Sequence, residues 1–200
     1  RDPLWSRGLG DVYKRQEYPQ VKADWLVQTG AGIYCSPAVW KDKVYVGDDL
    51  GFLTCYTLKS GQKLWNFQSG KRIVGTPDVA DGVVVFGSAD HNIYGLDART
   101  GKERWRVTAG EPVLGAVTIE KGVAYIGASD STFRAIHIKS GKVLWSYAGI
   151  KGYVETKPLI EGNKVIFGAW DNTLYALDKT NGKEPVSYTH LRAHETREDL

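Results

Sequence analysis

Four tryptophans, Trp25, Trp65, Trp105 and Trp145, stand 40 residues apart each time. Three of them end copies of one phrase: LTCYTLKSGQKLW at Trp65, IYGLDARTGKERW at Trp105 and FRAIHIKSGKVLW at Trp145. Gly61, Gly101 and Gly141 keep the same interval, as do Gly47, Gly87 and Gly127. A fourth copy, LYALDKTNGKEP, arrives one residue late through a single insertion after Trp145, with Gly182 in the glycine place and its tryptophan due at about 186. A fixed period of this length marks a chain of stacked units, none of which can bury its apolar face alone.

Within one period the pattern is of strands. SPAVW (36–40), KVYVGDD (43–49), GFLTCYTL (51–58) and KLWNFQ (63–68) are short and rich in β-branched and aromatic residues. Turn-forming KDK, DDLG and KSGQ separate them, and no segment keeps a helical period. The next period repeats the series as TPDVA, GVVVFGS, NIYGLD and ERWRVT. Four short antiparallel strands per repeat predict an all-β fold, a β-propeller built of four-stranded blades.

The repeated phrase has a local reason. Asp97 can accept backbone N–H groups in the turn that follows it, and Gly101 can take a positive φ to close the hairpin to the outermost strand. Asp178 holds the same place in the fourth copy, while Thr57 and His137 replace it in the others. A second aspartate column, Asp90, Asp130 and Asp171, falls in the turn between the second and third strands. A tryptophan at one strand position in every blade is an inter-blade packing element. Its N–H needs a partner, which the neighbouring blade's turn backbone can offer.

The two ends read differently. DVYKRQ (11–16) and VSYTHL (186–191) are what one short DNA element encodes when read in its two orientations, and both resemble translated sequencing-adapter sequence. Residues 1–16 and 186–200 are therefore expected to be adapter-derived, leaving 17–185 as the propeller repeats. Over 17–185 the Lys and Arg residues number 20 and the Asp and Glu residues 18, so no strong charge points to nucleic acid or an anionic membrane. No run approaches the ~18 apolar residues of a membrane-spanning helix.

The run A/G-x-D-x-x-T-G-K-x-x-W resembles the tryptophan-docking repeat of the pyrroloquinoline-quinone (PQQ)-like β-propellers, BamB-like members included. It stands here as Gly95, Asp97, Thr100, Gly101, Lys102 and Trp105, and again as Ala176, Asp178, Gly182 and Lys183. Weaker copies carry Ser60, Gly61 and Trp65, then Ala135, Ser140, Gly141, Lys142 and Trp145. The resemblance implies a ring of seven or eight blades. About four would lie here: three complete, part of a fourth, and the last strand of the blade before.

The family divides into quinoprotein dehydrogenases and cofactor-free propellers, among them the BamB lipoprotein of outer-membrane barrel assembly. Its dehydrogenases hold the quinone on the ring axis, with an adjacent-cysteine disulfide and a Glu, Asn and Asp set for Ca²⁺. This chain shows no adjacent cysteine pair; Cys35 and Cys55 stand in columns of small residues and are expected as buried thiols. His91 and His137 belong to turns, and GDDLG (47–51) is a hairpin turn rather than a calcium loop. No catalytic, cofactor-binding or metal-binding residue is therefore assigned, and no quinone is expected.

Function is expected on one face of the disc, where the loops after each fourth strand (QSGKR, TAGEP, AGIKGY) join the turns between second and third strands. The least repeat-like residues of that face are Trp170, Tyr153, Arg72, Glu111 and Glu155, the candidate partner-binding set, with Trp170 foremost because exposed indoles anchor interfaces. The expected role is a non-enzymatic protein-interaction scaffold. A periplasmic or outer-membrane-associated setting in a bacterium is what the resemblance implies. A quinoprotein dehydrogenase propeller and a sensor domain fused to an enzyme stand as alternatives.

Overall fold

The computed structural model describes residues 23–184, and the expected adapter-derived ends at 1–16 and 186–200 lie outside them. Blade one comprises β1 (Ala38–Trp40), β2 (Lys43–Gly47), β3 (Phe52–Thr57) and β4 (Lys63–Gln68). Blade two repeats it as β5 (Asp78–Ala80), β6 (Val83–Gly87), β7 (Asn92–Asp97) and β8 (Glu103–Thr108). Blade three holds β9 (Thr118–Glu120), β10 (Val123–Gly127), β11 (Phe133–His137) and β12 (Val143–Tyr147). Blade four has three strands among the described residues: β13 (Leu159–Glu161), β14 (Lys164–Ala169) and β15 (Thr173–Asp178).

Each blade is an antiparallel meander in strand order, and the short first strands of successive blades lie side by side along the inner edge of an arc. Middle strands such as Val83–Gly87 are buried on both faces, because blade two is sandwiched between blades one and three. One cluster joins blades one and two through Tyr45, Leu53, Phe86, Tyr94 and Leu96. Blades two and three share Val85, Ile93, Val113, Ile126 and Ile136. Blades three and four share Tyr125, Phe133, Val165, Phe167 and Leu177, with the Phe133 and Phe167 rings stacked 4.0 Å apart. The cores thus lie between blades, as stacked units require.

The repeated tryptophan fastens these junctions. In each complete blade the ladder between third and fourth strands slips one residue just before the indole, at Cys55/Tyr56, Gly95/Leu96 and Ala135/Ile136. Such a bulge re-aims the side chain that follows it. The indoles of Trp25, Trp65, Trp105 and Trp145 then lie over Gly61, Gly101, Gly141 and Gly182 of the next blade, so close that a Cβ there would come within 2.7, 2.5, 2.7 and 2.4 Å of a ring atom. Those glycines also hold φ between 66° and 72°, the left-handed region. Trp25, Trp105 and Trp145 donate their N–H to the carbonyls of Leu58, Ile138 and Lys179, at 2.9, 2.6 and 3.0 Å.

Two details differ from the sequence reading. Trp65 has no hydrogen-bond partner; the carbonyl at its place in the repeat, Ala98, accepts the Tyr45 hydroxyl at 3.0 Å instead. The segment around Trp25, expected as the last strand of a preceding blade, forms no strand, although its indole docks like the others. A strand is defined by its ladder, and no third strand of its own blade lies beside it among the described residues.

Candidate functional site

The loop entering each blade is latched to that blade's turn between second and third strands. The amides of Asp49, Ala89, Ser129 and Trp170 donate to the carbonyls of Gly32, Arg72, Pro112 and Tyr153 at 2.9–3.0 Å. Loops and turns therefore share one face of the arc, as the strand alternation predicts. The turn tips Gly51, His91, Ser131 and Asn172 all take positive φ, which tightens each hairpin.

The second aspartate column reinforces the latch. Asp90 accepts the Gly70 amide at 2.7 Å and the Tyr94 hydroxyl at 2.6 Å through one carboxylate oxygen. Asp171 does the same with the Lys151 amide at 3.0 Å and the Tyr175 hydroxyl at 2.6 Å. Asp130 accepts the Gly110 amide at 3.0 Å and pairs with Arg134 instead of a tyrosine. Burial opposes all three charges, yet these donors outweigh it and hold each carboxyl below its ordinary pKa. The same burial, with Asp90 beside it, pushes the Tyr94 hydroxyl up to about 12. Blade one breaks the column with Leu50, which is 62% exposed and flanks a shallow hollow with Asp49, Lys71, Arg72 and Ala89. Reading down the aspartate column would have singled Leu50 out; the sequence reading did not.

The proposed partner-binding residues do not form one cluster. Tyr153, Glu155 and Trp170 come together on blade four: the Trp170 amide donates to the Tyr153 carbonyl at 3.0 Å, and its indole N–H donates to Glu155 Oε2 at 3.2 Å. Trp170 remains 69% exposed and Tyr153 55% exposed. Arg72 and Glu111 are exposed in the two preceding loops, and no hydrogen bond or ion pair among the described residues links them to that trio.

The described residues do not fit a quinone and calcium seat. Cys35 and Cys55 are separate buried thiols, the former bonded to the Gly47 backbone, and burial raises the pKa of both. No three His, Cys, Asp or Glu side chains among the described residues converge on a point where a metal ion could sit.

Residues 2–103 and 87–199 both match the family model described as outer membrane protein assembly factor BamB. The chain belongs to that PQQ-like β-propeller family. No curated protein matches the chain. Among solved structures it is similar to BamB from Moraxella catarrhalis, at 15% identity and a TM-score of 0.70 over 77% of this chain and 49% of that one. The computationally designed Ika4 protein matches at 23% identity and a TM-score of 0.69, over 77% of this chain and 95% of that one. A quinohemoprotein alcohol dehydrogenase from Pseudomonas putida HK5 matches at 16% identity and a TM-score of 0.65, over 79% of this chain and 34% of that one.

These identities establish a shared fold. The chain spans about half the length of the BamB structure it matches. Among the described residues no helix is long and apolar enough to cross a membrane.

Proposed function

We propose that this BamB-type propeller is a protein-interaction scaffold of the bacterial envelope, serving outer-membrane protein assembly from the periplasmic side. It binds its protein partner through the latched face, with Trp170 and Tyr153 as apolar anchors and Glu155, Arg72 and Glu111 as flanking polar contacts. One observation carries the reading: two large aromatics stand exposed on neighbouring segments that a backbone hydrogen bond joins. Rigid aromatics lose little conformational entropy on binding and dominate interface energetics. The membership of a family described as an outer membrane protein assembly factor supports the setting.

The test is site-directed photo-crosslinking in bacterial envelope. A crosslinker at position 170 gives one discrete protein adduct, while one at the outer-strand position 104 gives none; equal labelling at both positions contradicts the reading. Against the crosslinked partner, Trp170→Ala weakens binding by roughly thirtyfold, the effect of a lost anchor of about 2 kcal/mol.

A further inference from the structure

The near balance of charge along the chain, 20 Lys and Arg residues against 18 Asp and Glu over 17–185, hides a division between the faces of the fold. Opposite the latched face stand the hairpins between third and fourth strands, together with the turns between first and second. Backbone bonds join the two in every blade: the amides of Leu58, Ala98, Ile138 and Lys179 donate to the carbonyls of Asp42, Gly82, Gly122 and Asn163 at 2.8–3.0 Å. Lys59, Arg99 and Lys139 hold one tip position in three successive hairpins, and Lys102 and Lys142 follow the docked glycines of blades two and three. All five are exposed, and none makes an ion pair among the described residues. The carboxylates nearby are engaged: Asp97 and Asp178 cap their own turns, Asp42 pairs with Lys43 and Glu120 with Lys179. Asp81 and Glu161 are exposed in the turns between first and second strands, where Lys41 and Lys121 offset them. The hairpin tips are therefore a row of free cations. On the latched face, by contrast, Lys71, Arg72 and Lys151 are interspersed with Asp49, Glu111 and Glu155.

We propose that this cationic row docks on the phosphate headgroups of an anionic lipid bilayer, so that the blades rest on the membrane by their hairpin tips and the latched face turns away from it, toward the protein partner. The proposal deepens the envelope role proposed above and rests on it. Cations carried one or two to a blade, and spread over successive blades rather than lining a groove, match a plane of negative charge. Each lysine held near such a surface strengthens binding about fivefold, so several acting together hold a protein that one would not. The hairpins at 57–63, 97–103 and 137–143 contain no Phe, Tyr or Trp, the side chains on which the bases of a nucleic acid would stack.

Co-sedimentation of the 200-residue chain with lipid vesicles tests this. The chain is expected to bind vesicles of mixed phosphatidylglycerol and phosphatidylcholine and to ignore phosphatidylcholine alone. Raising the salt from about 0.1 M to about 1 M, which shortens the screening length from about 10 Å to about 3 Å, should release it. Lys59→Gln combined with Lys139→Gln weakens binding about twenty-five-fold, about fivefold for each cation. Lys71→Gln combined with Lys151→Gln, on the latched face, changes it less than about twofold. Circular dichroism on both variants shows an intact sheet signal, because all four side chains are exposed and free of ion pairs among the described residues. Equal binding to neutral vesicles, no binding to the anionic ones, or equal losses in the two double variants would overturn the proposal. So would a DNA duplex or polyglutamate held more tightly than the anionic vesicles at the same salt. The vesicles contain no protein, so each of these failures leaves the crosslinking at position 170 to decide the partner on its own.

Discussion

The middle blade junction and its two flanks use the same indole and the same glycine, yet they are built of different material. Between blades two and three, Trp105 is the sole aromatic in an aliphatic core, and its N–H holds Ile138 at 2.6 Å. The junctions between blades one and two and between three and four are packed with aromatic rings, including tyrosines Tyr45 and Tyr125 in the column where blade two has Val85. The indole hydrogen bond differs between the two tyrosine-bearing junctions. Tyr125 shares the Lys179 carbonyl with Trp145, at 3.3 and 3.0 Å, because a carbonyl oxygen has two lone pairs. The Ala98 carbonyl accepts Tyr45 alone, and the Trp65 N–H stands unpaired. Docking by the indole is therefore chiefly a matter of shape, with the N–H bond added where the neighbouring side chain permits.

If shape dominates, the largest effect belongs to the glycine beneath the ring. Gly101→Ala should cost about 3 kcal/mol, combining the strain of a non-glycine residue at φ 72° with a Cβ 2.5 Å from Trp65. Gly122→Ala, at φ 80° with open space around it, isolates the strain and should cost about 1 kcal/mol. Urea unfolding of the two variants measures the difference, and equal losses would remove packing from the account. Next come the indoles. Trp105→Phe leaves the buried Ile138 carbonyl without its donor and should cost about 2 kcal/mol beyond the change in ring size, whereas Trp65→Phe loses only the ring-size part. Equal unfolding midpoints for the two would show that the hydrogen bond contributes nothing in either junction.

A smaller effect separates the turn caps. Arg104, Thr100 and the turn amides hold the Asp97 carboxyl at a pKa of about 2, below its ordinary 3.8. A carboxyl whose folded pKa is depressed stabilises the fold above its unfolded pKa and loses that contribution as pH falls toward the folded value. Because the pair lies at the surface, the contribution should stay below about 1 kcal/mol. Asp97→Asn should therefore be less stable than the native chain at neutral pH, with the gap closing between about pH 4 and pH 2. The smallest effect is expected at Tyr45→Phe, which frees the Ala98 carbonyl for Trp65: stability should change by less than about 0.5 kcal/mol. The matching Tyr125→Phe leaves Lys179 still bonded to Trp145, so a loss there much above 1 kcal/mol would show that the two donors are not interchangeable.

The architecture was legible in the sequence because it rests on periodic features. The spacing of Trp65, Trp105 and Trp145 gave the blade period, and the turn residues Asp97 and Gly101 marked the hairpin that receives each indole. The single insertion after Trp145 delays the fourth copy by one residue, and Gly182 still marks its turn. Hydrogen-bond sharing at Ala98 was not legible, because Tyr45 and Ala98 are 53 residues apart and meet only across a blade junction. On the latched face, Trp170 and Tyr153 stood out as departures from the repeat, and the structure brings them together with Glu155. Arg72 and Glu111 share their column irregularity but sit on other blades, since breaking a repeat pattern says nothing about distance across the ring. Leu50 was not singled out because GDDLG reads as an ordinary hairpin turn until the column mates of its leucine are seen to be aspartates.

Indole N–H exchange with solvent, followed by NMR with each tryptophan assigned by substitution, tests blade docking most directly. Slow exchange is expected for Trp105 and Trp145, protection without a hydrogen-bonded shift for Trp65, and rapid exchange for Trp170. Trp105 exchanging as fast as Trp170 would contradict the account, because an indole wedged between two blades cannot meet water as freely as one at a turn tip.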